Sequence, residues 1–216
     1  MHATLQRFHQ RPTVSDLLHI LGDVPPERVL MVPLPGTATE QDVLDLDDHE
    51  DRICELYDGV LVEKTMSSRE SMLAMLIGRA LLNFVTPRKL GAVLGEAGML
   101  RLRARLVLIP DVAFISRRSY PGRKLPDDAI FSIAPDLAVE IISKSNTTNE
   151  MSRKRREYFQ AGTKLVWEFD ARKKTVDVYT SPDKFTTLGE KQTLTGKPVL
   201  SGLKISLSSL FSELDQ

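Results

Sequence analysis

The sequence predicts an α/β (α+β) protein in which a mixed β-sheet is flanked by helices. Three observations lead there: two amphipathic helical segments, a series of short strand-like segments around them, and turn residues at most boundaries. In chain order, Thr13 to Leu21 fits a short helix, with Thr13 as its cap and Gly22 past its end. Pro25-Pro26 and Pro33 to Gly36 break regular structure. Residues 1–50 therefore read as an N-terminal extension and residues 51–216 as the domain. Glu55 to Lys64 reads as strand, turn, strand, because Asp58-Gly59 supplies a hairpin turn. Ser67 to Val85 reads as a helix, with Met72, Leu73, Leu76, Ile77, Ala80, Leu81, Phe84 and Val85 on one face and Pro87 beyond its end. Val93 to Arg103 and Leu106 to Ile115 read as a long hairpin. Leu137 to Ser143 is a short buried strand, and Thr147 to Ala161 a second helix stopped by Gly162. Leu165 to Phe169 and Thr175 to Tyr179 form another hairpin. Val199 to Leu210 adds a weak strand and a helical turn.

Composition bounds the function. Apolar and charged fractions are ordinary for a globular protein, and 216 residues can bury a real core. No apolar run is long enough for a membrane helix, and Met1-His2-Ala3 begins no secretory pattern, so a cytoplasmic, membrane-free protein is expected. Cys54 is the only cysteine, which excludes an intrachain disulfide and a cysteine zinc site. The four histidines, His2, His9, His19 and His49, all precede residue 50, so no histidine metal cluster is expected in the domain. With 29 basic and 29 acidic residues, the chain does not coat nucleic acid by bulk charge. The charges are segregated, however. Acids crowd Glu40 to Glu63, with Arg52 the single base, whereas Arg101, Arg103, Arg105, Arg117, Arg118, Arg123, Lys124, Arg153, Lys154, Arg155 and Arg156 follow. The middle of the chain is the better candidate for a polyanion-facing surface; the alternative is a set of solvated faces.

Two strands carry acids that solvent does not explain. In Val107 to Ile115 the single charged residue is Asp111, and in Leu137 to Ile142 it is Glu140. A lone carboxylate buried in such a strand costs several kcal/mol, so a cation or a neighbouring lysine is expected beside each. If the two strands lie side by side, the carboxylates converge on a divalent cation, for which Mg²⁺ is the natural choice. The competing reading puts each acid at a strand end, and Pro110 marks an edge or bulge beside Asp111. In the second helix, Met151, Lys154, Arg155, Tyr158 and Ala161 share one side, with Arg153, Arg156, Glu157 and Gln160 turned away. Lys154 then either faces Glu140 or snorkels to water. Glu70 completes a capping box with Ser67. Trp167, the single tryptophan, is expected in the core.

A proline-aspartate, an apolar strand with an acid and a following lysine form the pattern of PD-(D/E)XK nucleases. The strict spacing fails, because Ile142 stands two residues after Glu140. The chain resembles instead the Uma-two family of bacterial endonucleases, in which the lysine is displaced to the next helix. Glu55 to Glu63, Gly95-Glu96, Pro110 to Ile115 and Ala134 to Ser143 carry the resemblance, continued by Ser145, Lys154, Tyr158, Ala161-Gly162 and Trp167. It runs from about Ile53 to Tyr179. It implies a restriction-endonuclease-like fold and hydrolysis of DNA phosphodiester bonds with Mg²⁺ or Mn²⁺. Asp111 and Glu140 would be metal ligands, and Lys154 the catalytic base or charge stabiliser. Glu70, where the family often has a histidine, would be a further metal-site acid or only the helix cap; Glu63 and Glu96 would be supporting residues. Cutting both strands with such a fold calls for two sites, hence a homodimer. Two other readings stand beside this one: a catalytically weak or inactive member that binds nucleic acid or protein, and a module whose acidic stretch docks a basic partner.

Overall fold

The computed structural model describes residues 12–50, 52–120 and 124–216; His2, His9, Asp51 and Arg123 lie outside them. Asp58 and Gly59, both at positive φ (50° and 86°), join β1 (Cys54–Tyr57) to β2 (Val60–Glu63) in the left-handed two-residue turn that antiparallel strand twist favours. Strands β4 (Met99–Arg103), β5 (Leu106–Leu108) and β7 (Ile130–Phe131) complete a five-stranded sheet in the order β2-β1-β5-β4-β7. A six-stranded sheet runs β11-β10-β9-β8-β6-β3 and is built from β3 (Gly91–Leu94), β6 (Val112–Ser116), β8 (Leu137–Ile141), β9 (Leu165–Asp170), β10 (Thr175–Ser181) and β11 (Lys184–Gly189). Pairing is antiparallel except for β4 with β7 and β8 with β9, so both sheets are mixed. Parallel neighbours need a crossover, and α4 (Thr148–Ala161) supplies it between β8 and β9.

Side-chain alternation sets the layers. Val112 and Phe114 of β6, with Leu137, Val139 and Ile141 of β8, face α3 (Ser68–Val85), α5 (Leu207–Leu214) and the ribbon of β12 (Thr193–Gly196) and β13 (Leu200–Ser206). Leu73, Ile77 and Leu81 of α3 are fully buried there, each worth about 1.5–3 kcal/mol of apolar burial. Ala138 and Val166 face the other way, onto Tyr158 of α4 and onto Tyr57, Val60, Val62, Leu106 and Leu108 of the five-stranded sheet. The far side of that sheet is covered by Leu30, Ala38 and the Val43 and Leu46 of α2 (Glu40–Glu50). The segment before residue 50 also includes α1 (Val14–Ile20), capped by Thr13, and Leu21 and Val24 beyond it are buried against the sheet layer.

The expected long hairpin is not formed. Its two arms are each divided between the sheets: β4 pairs with β5 in one, β3 with β6 in the other. Pro110 has no N–H to donate, which ends the first ladder, and Asp111 stands where the chain passes from one sheet to the next. The acidic stretch also holds more structure than its composition suggests, since α2 buries only Val43 and Leu46.

Candidate active site

Where the two sheets part, five charged side chains enter one enclosed space. β1 contributes Glu55, and the residue after β2 contributes Lys64. The crossing from β5 to β6 contributes Asp111, β8 contributes Glu140, and α4 contributes Lys154. Each choice follows from alternation: Glu55 shares the inward face with Tyr57, and Glu140 with Ala138. Asp111 is 2% exposed, and Glu55, Glu140 and Lys154 are each 4% exposed, so these charges meet one another rather than water.

The contacts divide the groups into two units. Lys154 Nζ donates to Glu140 Oε2 at 2.8 Å and lies 2.9 Å from Glu55 Oε1. The Tyr158 hydroxyl, one turn further along α4, donates to Glu140 Oε1 at 2.6 Å. Glu55 Oε1 also accepts from the Ile109 amide at 3.0 Å. In the second unit, Lys64 Nζ is 2.7 Å from Asp111 Oδ1 and donates to the Ile109 carbonyl at 2.8 Å. Asp111 Oδ2 accepts from the Ile141 amide at 2.5 Å, and the Asp111 amide donates to the Val139 carbonyl at 3.0 Å. The backbone of β8 therefore fixes the Asp111 carboxylate beside Glu140. Oδ1 accepts no hydrogen bond of good geometry and is held only by the Lys64 charge.

Three carboxylates share two ammonium groups. Burial pushes the Glu140 carboxyl up to about 7; Lys154 opposes this, and the neighbouring Asp111 and Glu55 charges add to it. Lys154 moves above the ordinary lysine range: burial disfavours its charge, but Glu140 and Glu55 outweigh it. The two shifts are compatible because either carboxylate can keep the lysine charged, whereas neither has the lysine to itself. The arrangement therefore favours the ammonium form of Lys154, while burial favours the protonated form of Glu140.

Around this centre the support is continuous. Arg28 forms a buried two-armed pair with Glu150, at 2.8 and 2.9 Å, and its Nε donates to the Glu63 carbonyl at 2.8 Å. Glu150 also accepts from Asn146 at 3.0 Å. Glu70 forms the expected capping box: the Ser67 amide donates to Glu70 Oε2 at 2.7 Å, while the Glu70 carboxyl also borders the site. The cavity enclosed by Arg28, Glu55, Lys64, Asp111, Glu140 and Lys154 is about 10 Å³, room for about one water. Two wider grooves adjoin it. One of about 490 Å³, lined by Thr65, Ser67, Arg69, Ser143, Lys144 and Arg172, shares Glu70 with the cavity. The other, about 560 Å³ and mostly apolar, runs between α3 and β3 and reaches Asp111. A hollow of about 630 Å³ over the five-stranded sheet lies apart from these groups, and the Glu40–Arg101 pair within it neutralises itself.

The structure thus brings Asp111, Glu140 and Lys154 together, with Glu70 at the rim. Sequence reasoning did not single out Glu55 or Lys64 as site residues. Glu55 was hidden among the many acids of its stretch, although its neighbours in β1, Cys54, Leu56 and Tyr57, are all apolar. Lys64 sits at a strand end, where a lysine usually means solvent. Arg153 also departs from expectation. It is buried and lies over the Tyr57 ring at 3.7 Å, because an aromatic face accepts a guanidinium where α4 meets β1. Glu63 pairs with Arg52 at 2.8 Å and takes no part in the centre.

An oxygen-rich site in which Asp111 Oδ1 accepts no hydrogen bond of good geometry and is held only by the Lys64 charge suits a hard divalent cation. Among the described residues no group of three or more acids, histidines or cysteines is arranged to hold a metal ion. One or two carboxylates with water and phosphate oxygens are what Mg²⁺ needs, so the residues present fit an open site of that kind. No helix among the described residues is long and apolar enough to cross a membrane.

No curated protein matches the sequence. The crystal structure of a protein from Anabaena variabilis, described as "a putative nuclease belonging to DUF820", has a similar fold at a TM-score of 0.67. The two are 20% identical, and the match covers 76% of this chain and 92% of that one. At that identity the likeness establishes the fold alone, a mixed α/β architecture. The model of the Uma2 family, described as "Putative restriction endonuclease", matches residues 40–208, most of the chain, a range within which the five converging charged residues fall. With that match laid over a buried centre of Asp111, Glu140 and Lys154, the chain belongs to the Uma2 family of restriction-endonuclease-like proteins.

Proposed function

We propose that this protein is a divalent-metal-dependent endonuclease that hydrolyses DNA phosphodiester bonds, with Asp111, Glu140 and Lys154 as its working residues. The observation that carries the reading is the burial of Lys154 against Glu140, beside an Asp111 oxygen that accepts no hydrogen bond. Asp111 and Glu140 hold the cation, and Glu70 is the candidate for a further acid at its edge. Bound Mg²⁺ or Mn²⁺ supplies Lewis-acid polarisation of the phosphate and a more acidic water. Lys154 acts as a charge stabiliser rather than a base, because an ammonium held above its usual range donates hydrogen bonds and does not take up protons. Tyr158 fixes the orientation of Glu140, and Glu55 keeps Lys154 in place when Glu140 engages the metal. The groove lined by Thr65, Ser67, Ser143 and Lys144 is the path for the sugar-phosphate backbone, whose contacts are largely sequence-independent. Cleavage of both strands requires two such sites, which a homodimer supplies.

The test combines binding and cleavage. Calorimetric titration should show Mg²⁺ or Mn²⁺ binding to the unaltered protein and its loss in Asp111→Asn, with soft metals binding poorly. Nicking of supercoiled DNA should require the divalent ion and disappear in Asp111→Asn and Glu140→Gln. Equal divalent binding by the unaltered protein and Asp111→Asn removes Asp111 from the site. The narrowness of the 10 Å³ cavity, with two lysines in its wall, favours one second reading: a silent member of the family that binds nucleic acid. Salt-sensitive DNA binding without metal-dependent cleavage selects that reading.

A further inference from the structure

We propose that Lys64 occupies the place of the metal ion in the metal-free protein and is displaced when the ion binds. The proposal rests on the metal site described above and concerns how that site is kept when empty. Two hard oxygens surround the Lys64 ammonium: Asp111 Oδ1 at 2.7 Å and the Ile109 carbonyl at 2.8 Å. A carboxylate and a backbone carbonyl are donors that a divalent cation also accepts. Asp111 is not free to turn away, since its other oxygen is tied to the Ile141 amide. Lys64 is therefore the counter-charge that makes an empty, buried Asp111 tolerable.

The two lysines differ in their freedom to leave. Lys154 is anchored between two buried carboxylates, and its side chain is 5% exposed. Lys64 has one carboxylate partner and an 11% exposed side chain, and it follows the end of β2 next to exposed Thr65. A lysine is a point charge on a flexible four-carbon stem, so it withdraws by rotating its own bonds. The cavity leaves room for about one water, so an ammonium and a hydrated cation do not fit side by side. Lys64 would withdraw towards the exposed Thr65 side to make room for an ion between Asp111 and the Ile109 carbonyl.

The exchange makes Lys64 a competitor of the metal, and its test reads metal affinity in the full chain by calorimetry and by the electron spin resonance of free Mn²⁺. Lys64→Met should bind Mn²⁺ about tenfold or more tightly than the unaltered protein, because a neighbouring charge has been removed. Its metal-free form should melt lower, and saturating Mn²⁺ should restore most of the difference. Lys64→Arg should do the reverse and weaken Mn²⁺ binding, since a guanidinium grips a carboxylate with two donors. Unchanged or weaker Mn²⁺ binding in Lys64→Met overturns the exchange while leaving the metal site intact. If Lys64→Met does not fold, unchanged or tighter binding in Lys64→Arg overturns it. Absence of Mn²⁺ binding in all three proteins brings down the metal site itself, and the exchange with it.

Discussion

Lys154 and Glu70 show how differently two charged residues at one site are bound to their surroundings. Lys154 serves Glu140 and Glu55 together, so Lys154→Ala leaves two buried carboxylates without their ammonium. Breaking a buried pair in this way costs about 3–5 kcal/mol, which chemical denaturation would register directly. Single-turnover cleavage should fall by roughly two orders of magnitude, the usual loss for one positioned charge stabiliser. Arg156, exposed on the outer face of α4 and bonded to Ser152, is the contrast: Arg156→Ala should weaken DNA binding and spare the chemical step. If Lys154→Ala cleaves as fast as the unaltered protein, the ammonium has no part in the chemistry. Glu70 is held by a local device instead. In Glu70→Gln the amide still reaches back to Ser67, so the melting temperature should hold, and activity with it. A large loss of activity at unchanged melting would place Glu70 among the metal ligands. At this scale Asp111 and Glu140 were legible because each is the lone charge in an apolar stretch of sequence. Lys64 was not, since nothing in sequence separates a strand-end lysine that turns inward from one that faces water.

The element scale is dominated by a tie that the sequence does not advertise. Arg28, in a short 3₁₀ turn at Pro26–Arg28, reaches across to Glu150 in the first turn of α4 and to the Glu63 carbonyl at the end of β2. One side chain thus fastens the segment before α2 to the helix that carries Lys154. Glu150 is buried, which alone would raise its carboxyl pKa, but its hydrogen bonds and charge contact with Arg28 outweigh burial and hold it below the usual range. An acid lowered on folding stabilises the protein fully above its unfolded value of 4.5, and that contribution is lost as pH falls through the lower folded value. Arg28→Met should therefore destabilise the protein by about 3–5 kcal/mol at neutral pH, and by progressively less as pH falls through the lowered folded value of Glu150. Melting temperature measured against pH checks this; a constant difference between the two proteins across that range would show the pair to be energetically idle. Helices α3 and α4 and the Asp58-Gly59 turn were readable from periodicity and turn chemistry. α2 was not, because a helix that buries two residues leaves almost no apolar period. The division of the long hairpin was also hidden, since which sheet a strand joins is decided by partners far along the chain.

Across the whole molecule, the two opposite charge blocks seen in sequence answer one another in part. Glu40 binds Arg101, Asp58 and Glu157 bind Arg103, and Glu55 binds Lys154. Arg155 is taken by Glu168 and Arg153 by the Tyr57 ring. The acidic stretch therefore finds much of its basic partner within its own chain. Arg117, Arg118, Lys124 and Arg156 of the middle basic block stay exposed and form no ion pair among the described residues, and Lys144 adds a base in the groove next to the centre. That redistribution follows from how the two sheets stack, and composition alone gives no access to it. The mixed sheet with flanking helices was legible; its doubling into two layers was not, because strand count and length do not reveal which ladders are continuous.

Trp167 gives the protein an optical property of its own. The single indole is fully buried on the α3 side of β9 and pairs in register with Val139, one residue before Glu140 on the adjacent strand. Its emission will be blue-shifted and out of reach of iodide in the native state, and will move to the red only when the layer between α3 and the six-stranded sheet opens. Because Glu140 points to the opposite face, cation entry should leave that spectrum nearly still. Fluorescence therefore follows unfolding of the sheet without interference from events at the carboxylates, and the two can be read in one cuvette.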